Sequence, residues 1–214
     1  MCIRDSPSTV ARRHGRLCAG APAGHPGRRV SATSRPSALA GVRYGAILRH
    51  GDERGSFREL WRVSEFPGAP FVQANLSTSA TGVLRGLHLH RRQDDLWVIA
   101  EGRAFVALVD VRPLLDGTGP TAVVETRELG ADGWIYIPTG VAHGFLALDP
   151  LQLVYLVTNE YDGSDELGFA WDDPAIAVAW PTIPGTADGR PITSGRDAQN
   201  PTLAELLVRM RDGV

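Results

Sequence analysis

Apolar residues fall in short alternating runs along most of this chain, with little helical spacing. Residues 42–48, 56–63, 71–79, 103–111, 121–129, 133–138, 143–148 and 151–159 each read as a strand, with glycine, proline, aspartate or asparagine between them. Many short strands separated by turn residues predict an all-β sandwich or barrel. Only residues 201–210 depart from this, with Leu203, Leu206, Leu207 and Met210 at the spacing of a short terminal helix. No internal repeat is visible.

The most informative stretch is 82–102, read as two strands around a polar turn at Arg91-Arg92-Gln93. Alternation places Leu84, Gly86, His88 and His90 on one face and Val83, Arg85, Leu87 and Leu89 on the other. If the two strands pair as a hairpin, Asp95 shares the space that the histidines face. A pocket with two imidazoles and a carboxylate results. Trp97, Trp134, Trp171 and Trp180 read as packing, and Arg91-Arg92 as a solvated turn.

The first 40 residues differ from the rest. They hold seven arginines against one acid, Asp5, and their apolar residues Val10, Leu17, Val30 and Leu39 are isolated among Arg, Ala, Gly, Pro and Ser. Such a segment buries too little surface to offset its ordering entropy, so residues 1–40 are expected to be a disordered extension and 41–214 a single domain. The opening Met1-Cys2-Ile3-Arg4-Asp5-Ser6 resembles a translated sequencing adapter, which marks the extension as non-native or dispensable.

With the extension set aside, the domain is more acidic than the net charge of -2 for the whole chain, which argues against a nucleic-acid partner. Every one of the 22 basic residues is arginine. Both cysteines, Cys2 and Cys18, lie in the extension, so disulfides and thiol chemistry are excluded from the domain, as fits a cytoplasmic setting. No apolar run approaches the roughly 20 residues a membrane helix needs.

Several motifs in order resemble one family. Gly51-Asp52-Glu53-Arg54-Gly55, Val83-Leu84-Arg85-Gly86-Leu87-His88, Ile137-Pro138-Thr139-Gly140-Val141-Ala142-His143-Gly144-Phe145, Trp171-Asp172-Asp173-Pro174-Ala175-Ile176 and Trp180-Pro181 are similar to those of the dTDP-4-dehydrorhamnose 3,5-epimerases, over about residues 42–205. The resemblance implies a double-stranded β-helix of the cupin jelly-roll kind and a homodimer. It implies a thymidine diphosphate sugar as substrate and no cofactor. The activity would be epimerisation beside a ketone, in deoxysugar and rhamnose biosynthesis for cell-wall polysaccharide. Carried over by position, it makes His88 the base, Asp197 the carboxylate behind it and Tyr155 the proton donor. Arg85 and His143 become substrate contacts. Arg54, Glu59, Gln73 and Asn75 hold the nucleotide end, with Arg54 reaching in from the other subunit. Tyr161 stacks on thymine, and Glu166 and Arg196 make further contacts, Arg196 standing where lysine is usual.

The chain departs from the family at Asp95, which aligns with a lysine that stabilises the enolate oxygen, and at Ala74 and Leu76 within the nucleotide motif. A carboxylate in place of that lysine reverses the local charge. Asp95 also fits a different pattern: Gly82, His88, His90, Asp95 and Gly102 are spaced like a first metal-binding cupin motif, and Pro138, Gly140 and His143 follow most of a second, although Ala147 stands where the second closes with asparagine. The alternative readings are therefore a divalent metal on His88, His90, Asp95 and His143, in an isomerase or dioxygenase on the same scaffold, or a catalytically silent sugar-nucleotide-binding cupin. If His88 bound the metal it could not serve as a base, so metal and epimerase chemistry are expected to exclude each other.

Overall fold

The computed structural model describes residues 36–182 and 189–212. Two five-stranded antiparallel sheets face each other. The first runs β1 (Arg43–Ala46), β9 (Gly133–Ile137), β6 (Asp95–Glu101), β11 (Leu151–Val157) and β4 (Gln73–Ser79). The second runs β12 (Leu167–Gly168), β5 (Leu84–Leu89), β10 (Val141–Ala147), β7 (Arg103–Asp110) and β8 (Val123–Gly130). This is the jelly roll the sequence led us to expect.

Burial explains the strand composition. The inner faces of both sheets meet in one core that includes Trp97, Ile99, Val106, Leu108, Ile135, Phe145 and Leu153. The outer face of the second sheet is also covered: Leu87, Leu89, Ala107 and Val109 pack beneath Phe169, Leu203 and Leu206. Over the first sheet, Phe66 and Ala69 cover Leu96, Val98 and Leu156. Central strands covered on both sides read as continuous apolar runs, as in β10, where every residue is buried.

The terminal helix α2 (Leu203–Asp212) starts with a reciprocal cap. The Thr202 amide donates to Glu205 at 2.8 Å and the Glu205 amide to the Thr202 hydroxyl at 3.3 Å. Asp173 fixes the preceding loop, accepting from the Leu203 amide at 2.6 Å, so the Trp171-Asp172-Asp173-Pro174 motif is structural here.

Four expectations need correction. β5 and β6 do not form a hairpin: β5 pairs with β10 and β12, and β6 with β9 and β11, so residues 90–94 cross from one sheet to the other. The strand expected over 56–63 ends at Arg58, where β3 (Gly55–Arg58) closes a separate hairpin with β2 (Arg49–Asp52), and Val63–Glu65 form a single tight turn. One unforeseen helical turn, α1 (Arg112–Leu115), follows β7.

The fourth concerns the start of the domain. Leu39 is 3% exposed within the core, and Glu125 accepts from the Ser37 hydroxyl at 2.9 Å and the Ala38 amide at 2.8 Å. Residues 37–39 therefore pack as part of the domain. The disorder expected of residues 1–35 lies outside the described residues.

Candidate active site

Between the two sheets lies a cavity of about 400 Å³. On its second-sheet wall, His88 of β5 stands opposite His143 of β10 in register. On its first-sheet wall, Tyr155 of β11 lies between Asn75 of β4 and Trp97 of β6. The crossover between β5 and β6 brings His90 and Asp95 to the same cavity.

Strict alternation would have put Arg85 on the face opposite His88, yet both line the cavity. The register explains it: β5 uses three steps from Arg85 to His88 where β10 uses two, from Phe145 to His143. Gly86 makes this bulge possible. It has φ +128, and a Cβ there would stand 2.6 Å from the Gly144 Cα. Leu87 and Leu89 turn away beneath α2.

His88 and Asp197 form one unit. His88 Nε2 lies 2.8 Å from Asp197 Oδ1, with the Asp197 side chain buried and the His88 ring partly open to the cavity. Burial pushes the Asp197 carboxyl upward, but its hydrogen bonds to His88, Ser194 and the Gly86 backbone outweigh that and hold it below the ordinary carboxylate range. An ionised carboxylate only accepts, so the neutral ring carries its proton on Nε2 and presents Nδ1 as a base.

Tyr155 is half-buried on the facing wall. Burial, with Asp95 and Glu166 adding negative charge and Arg85 opposing, raises its hydroxyl above the ordinary tyrosine value. It therefore stays protonated and able to donate. Arg85 is held by the Ser79 hydroxyl at 3.1 Å and the Thr78 carbonyl at 3.3 Å.

The third group is His90, Asp95 and His143, whose possible ligand atoms all lie within 4.8 Å of one another. His143 Nδ1 donates to the Val141 carbonyl at 3.1 Å, and His90 Nδ1 to the Asp165 carbonyl at 2.9 Å. Asp95 accepts from Gln93 Nε2 at 2.8 Å and from Trp97 Nε1 at 3.1 Å. Burial lowers the His143 pKa to about 4 against the opposing pull of Asp95, with His90 and His88 lowering it further, so its ring is neutral near pH 7. Of the four residues in the alternative metal reading, three converge, while His88 is engaged with Asp197.

The mouth of the cavity carries the remaining expected contacts. Gln73 Nε2 donates to Asn75 Oδ1 at 2.9 Å, and Gln73 Oε1 accepts from the Tyr161 amide at 2.9 Å. Tyr161 is exposed beside Glu166, which pairs with Arg196 at 2.6 Å. Although burial works against it, the Arg196 guanidinium holds Glu166 below its ordinary pKa. Arg54 and Glu59 are not in this cavity. Arg54 is exposed on the β2–β3 hairpin beside Asp52, and Glu59 pairs with Arg62 beside a separate hollow of about 470 Å³.

Sequence reasoning missed Asp165 and saw only the packing role of Trp97, which the core bears out. Asp165 is buried and accepts from the Arg91 and Arg92 amides at 3.1 and 3.0 Å, so the turn read as solvated is anchored while its side chains stay exposed. Gln93, within that turn, donates to the Asp95 carboxylate. Trp97 meets the His143 ring edge to face at 5.1 Å as well as donating to Asp95, and is thus part of the cavity wall. No local pattern marks Asp165, which lies 75 residues from His90.

The family profile of dTDP-4-dehydrorhamnose 3,5-epimerase matches residues 36–205. The chain belongs to this family. It is 39% identical over 150 residues to the spore coat polysaccharide biosynthesis protein SpsL of Bacillus subtilis, covering 67% of this chain and 97% of SpsL. It is also 39% identical over 168 residues to the dTDP-4-dehydrorhamnose 3,5-epimerase of Escherichia coli, covering 73% of this chain and 86% of that enzyme. Among solved structures, the Mycobacterium tuberculosis rmlC epimerase superposes with a TM-score of 0.72 at 30% identity, over 84% of this chain and 91% of that one. As a member of the dTDP-4-dehydrorhamnose 3,5-epimerase family, the chain is an isomerase by class. No helix among the described residues is long and apolar enough to cross a membrane.

Proposed function

We propose that this chain epimerises a thymidine diphosphate 4-keto-6-deoxy sugar at one or both carbons beside the ketone, in deoxysugar biosynthesis. One observation carries the reading: the His88–Asp197 unit and the Tyr155 hydroxyl occupy opposite walls of one cavity. Inversion beside a ketone needs this arrangement. His88 Nδ1 takes the proton from carbon, the C–H electrons form the enolate double bond, and the carbonyl π electrons move to oxygen. Tyr155 then delivers a proton to the opposite face of the same carbon as the ketone reforms. Asp197 keeps the histidine in the right tautomer and stabilises its imidazolium.

Gln73, Asn75 and Tyr161 at the mouth supply amide and aromatic contacts for the nucleotide end, and Glu166 with Arg196 borders them. We assign Arg54 and the β2–β3 hairpin to the cavity of a second copy in a homodimer. The support is that Arg54 does not line its own cavity and that the hairpin joins neither sheet.

The test is incubation with dTDP-4-keto-6-deoxyglucose in deuterium oxide, read by mass and NMR. Deuterium at the carbons beside the ketone is expected. Binding of the sugar nucleotide without any exchange would instead make the chain a silent sugar-nucleotide-binding cupin.

A further inference from the structure

We infer that His90, Asp95 and His143 form a site for a divalent first-row transition metal ion that opens on the sugar cavity and leaves His88 free as the base.

The argument begins with hydrogen positions. The carbonyls of Asp165 and Val141 can only accept, so Nδ1 of each ring carries a proton and Nε2 is the nitrogen left to bind a metal. A backbone carbonyl behind each ring fixes tautomer and orientation in the way characteristic of histidines that bind metals.

Burial and distance point the same way. Asp95 and His143 are each 4% exposed, and the two donors reaching the Asp95 carboxylate, Gln93 and Trp97, are neutral. His143 Nε2 lies 3.6 Å from Asp95 Oδ2, beyond hydrogen-bonding distance. A metal ion between these atoms is bound by the carboxylate and both Nε2 atoms together.

The distances suit an ion. Two ligand atoms each about 2.1 Å from a tetrahedral metal stand about 3.4 Å apart, close to the observed 3.6 Å, and the group's spread of no more than 4.8 Å closes with small side-chain rotations. Two imidazoles and one carboxylate match iron, manganese, nickel or zinc and leave coordination positions open. His88 stays outside the set because its Nε2 is held by Asp197. The exclusion expected from a four-ligand set that included His88 therefore disappears.

A cation here would supply the positive charge next to a carbonyl oxygen that Asp95 alone cannot supply. That use rests on the epimerase reading, whereas metal binding itself does not.

The experiment uses full-length protein purified without a histidine tag, stripped with chelator and dialysed against Co(II). One Co(II) per chain with visible d–d absorption is expected, together with a higher thermal midpoint. His90→Ala and Asp95→Asn should each weaken binding at least tenfold, and His88→Ala should retain it. His90→Gln replaces the alanine variant if circular dichroism shows the latter unfolded. Absence of stoichiometric Co(II), undiminished binding in the His90 and Asp95 variants, or loss of binding in His88→Ala would overturn the site. Deuterium exchange measured on the same samples separates the two claims. Metal bound without exchange upholds the site and removes the epimerase reading; full exchange by protein that binds no metal removes the site and keeps the reading.

Discussion

His88 and Asp197 are 109 residues apart in sequence and 2.8 Å apart in space. Asp197 sits on a single helical turn, Asp197–Gln199, placed against β5. If this carboxylate fixes the tautomer of the base, Asp197→Asn should lower the rate of deuterium exchange by roughly 10²- to 10⁴-fold with little change in KM. The same pair sets an acid limit on stability. The folded pKa of Asp197 is depressed, so the stabilisation is complete above the unfolded carboxylate value near 3.9 and is lost as pH falls through the folded value. Thermal melts from about pH 6 down to about pH 2 should show a shallower acid decline in the asparagine variant.

Tyr155 faces His88 from the other sheet, so proton removal and proton delivery are separable. Tyr155→Phe should leave exchange within about tenfold of the parent while inversion falls by roughly 10² or more. Parallel losses in the two assays would deny Tyr155 the donor role.

The wider comparison of sequence with structure divides along the range of the signal. Alternation revealed most strands because each has one face inside the sandwich, and apolar periodicity revealed α2. Nothing local announced that residues 90–94 cross between sheets, since a polar turn between two strands reads equally as a hairpin. The bulge at Gly86 was invisible for a related reason: it depends on Gly144, whose backbone fills the space a side chain would need. His88, His90, Asp95 and His143 could be picked out by residue type and spacing. The resemblance already paired His88 with Asp197, but that His90, Asp95 and His143 form a separate trio was not legible, because Asp165 orients His90 from far along the chain. Leu39 was misread because composition averaged over a segment hides one well-anchored side chain.

That misreading yields a test of the domain boundary. Deleting residues 1–35 should leave the thermal midpoint unchanged. Deleting 1–40 removes Leu39 and the hydrogen bonds to Glu125, and should cost about 2–5 kcal/mol, a drop of several degrees. Leu39→Ala in the full chain should reproduce most of that loss.

Arg54 tests the composite site. Sedimentation should give a species of twice 23.0 kDa. Arg54 is exposed in the single chain, so Arg54→Ala should hardly change stability. If it reaches the partner's cavity, the variant should raise KM at least tenfold while kcat changes less. A fully active monomer would remove Arg54 from the site.

Asp95 gives the sharpest contrast. If it merely stands where relatives carry a lysine, Asp95→Lys restores a cation beside the substrate oxygen and raises activity. The surroundings oppose that. Gln93 and Trp97 both direct N–H groups at this side chain, and a buried ammonium would leave those donors without an acceptor while repelling any metal ion. Asp95→Lys should therefore lower the thermal midpoint by several degrees and abolish both exchange and Co(II) binding, with a destabilisation of about 3–5 kcal/mol. Asp95→Asn keeps an acceptor oxygen for Trp97 and should fold with a smaller loss, yet still fail to hold the ion. A lysine variant that is stable and more active than the parent would show that the carboxylate is only a displaced cation and would count against the metal site.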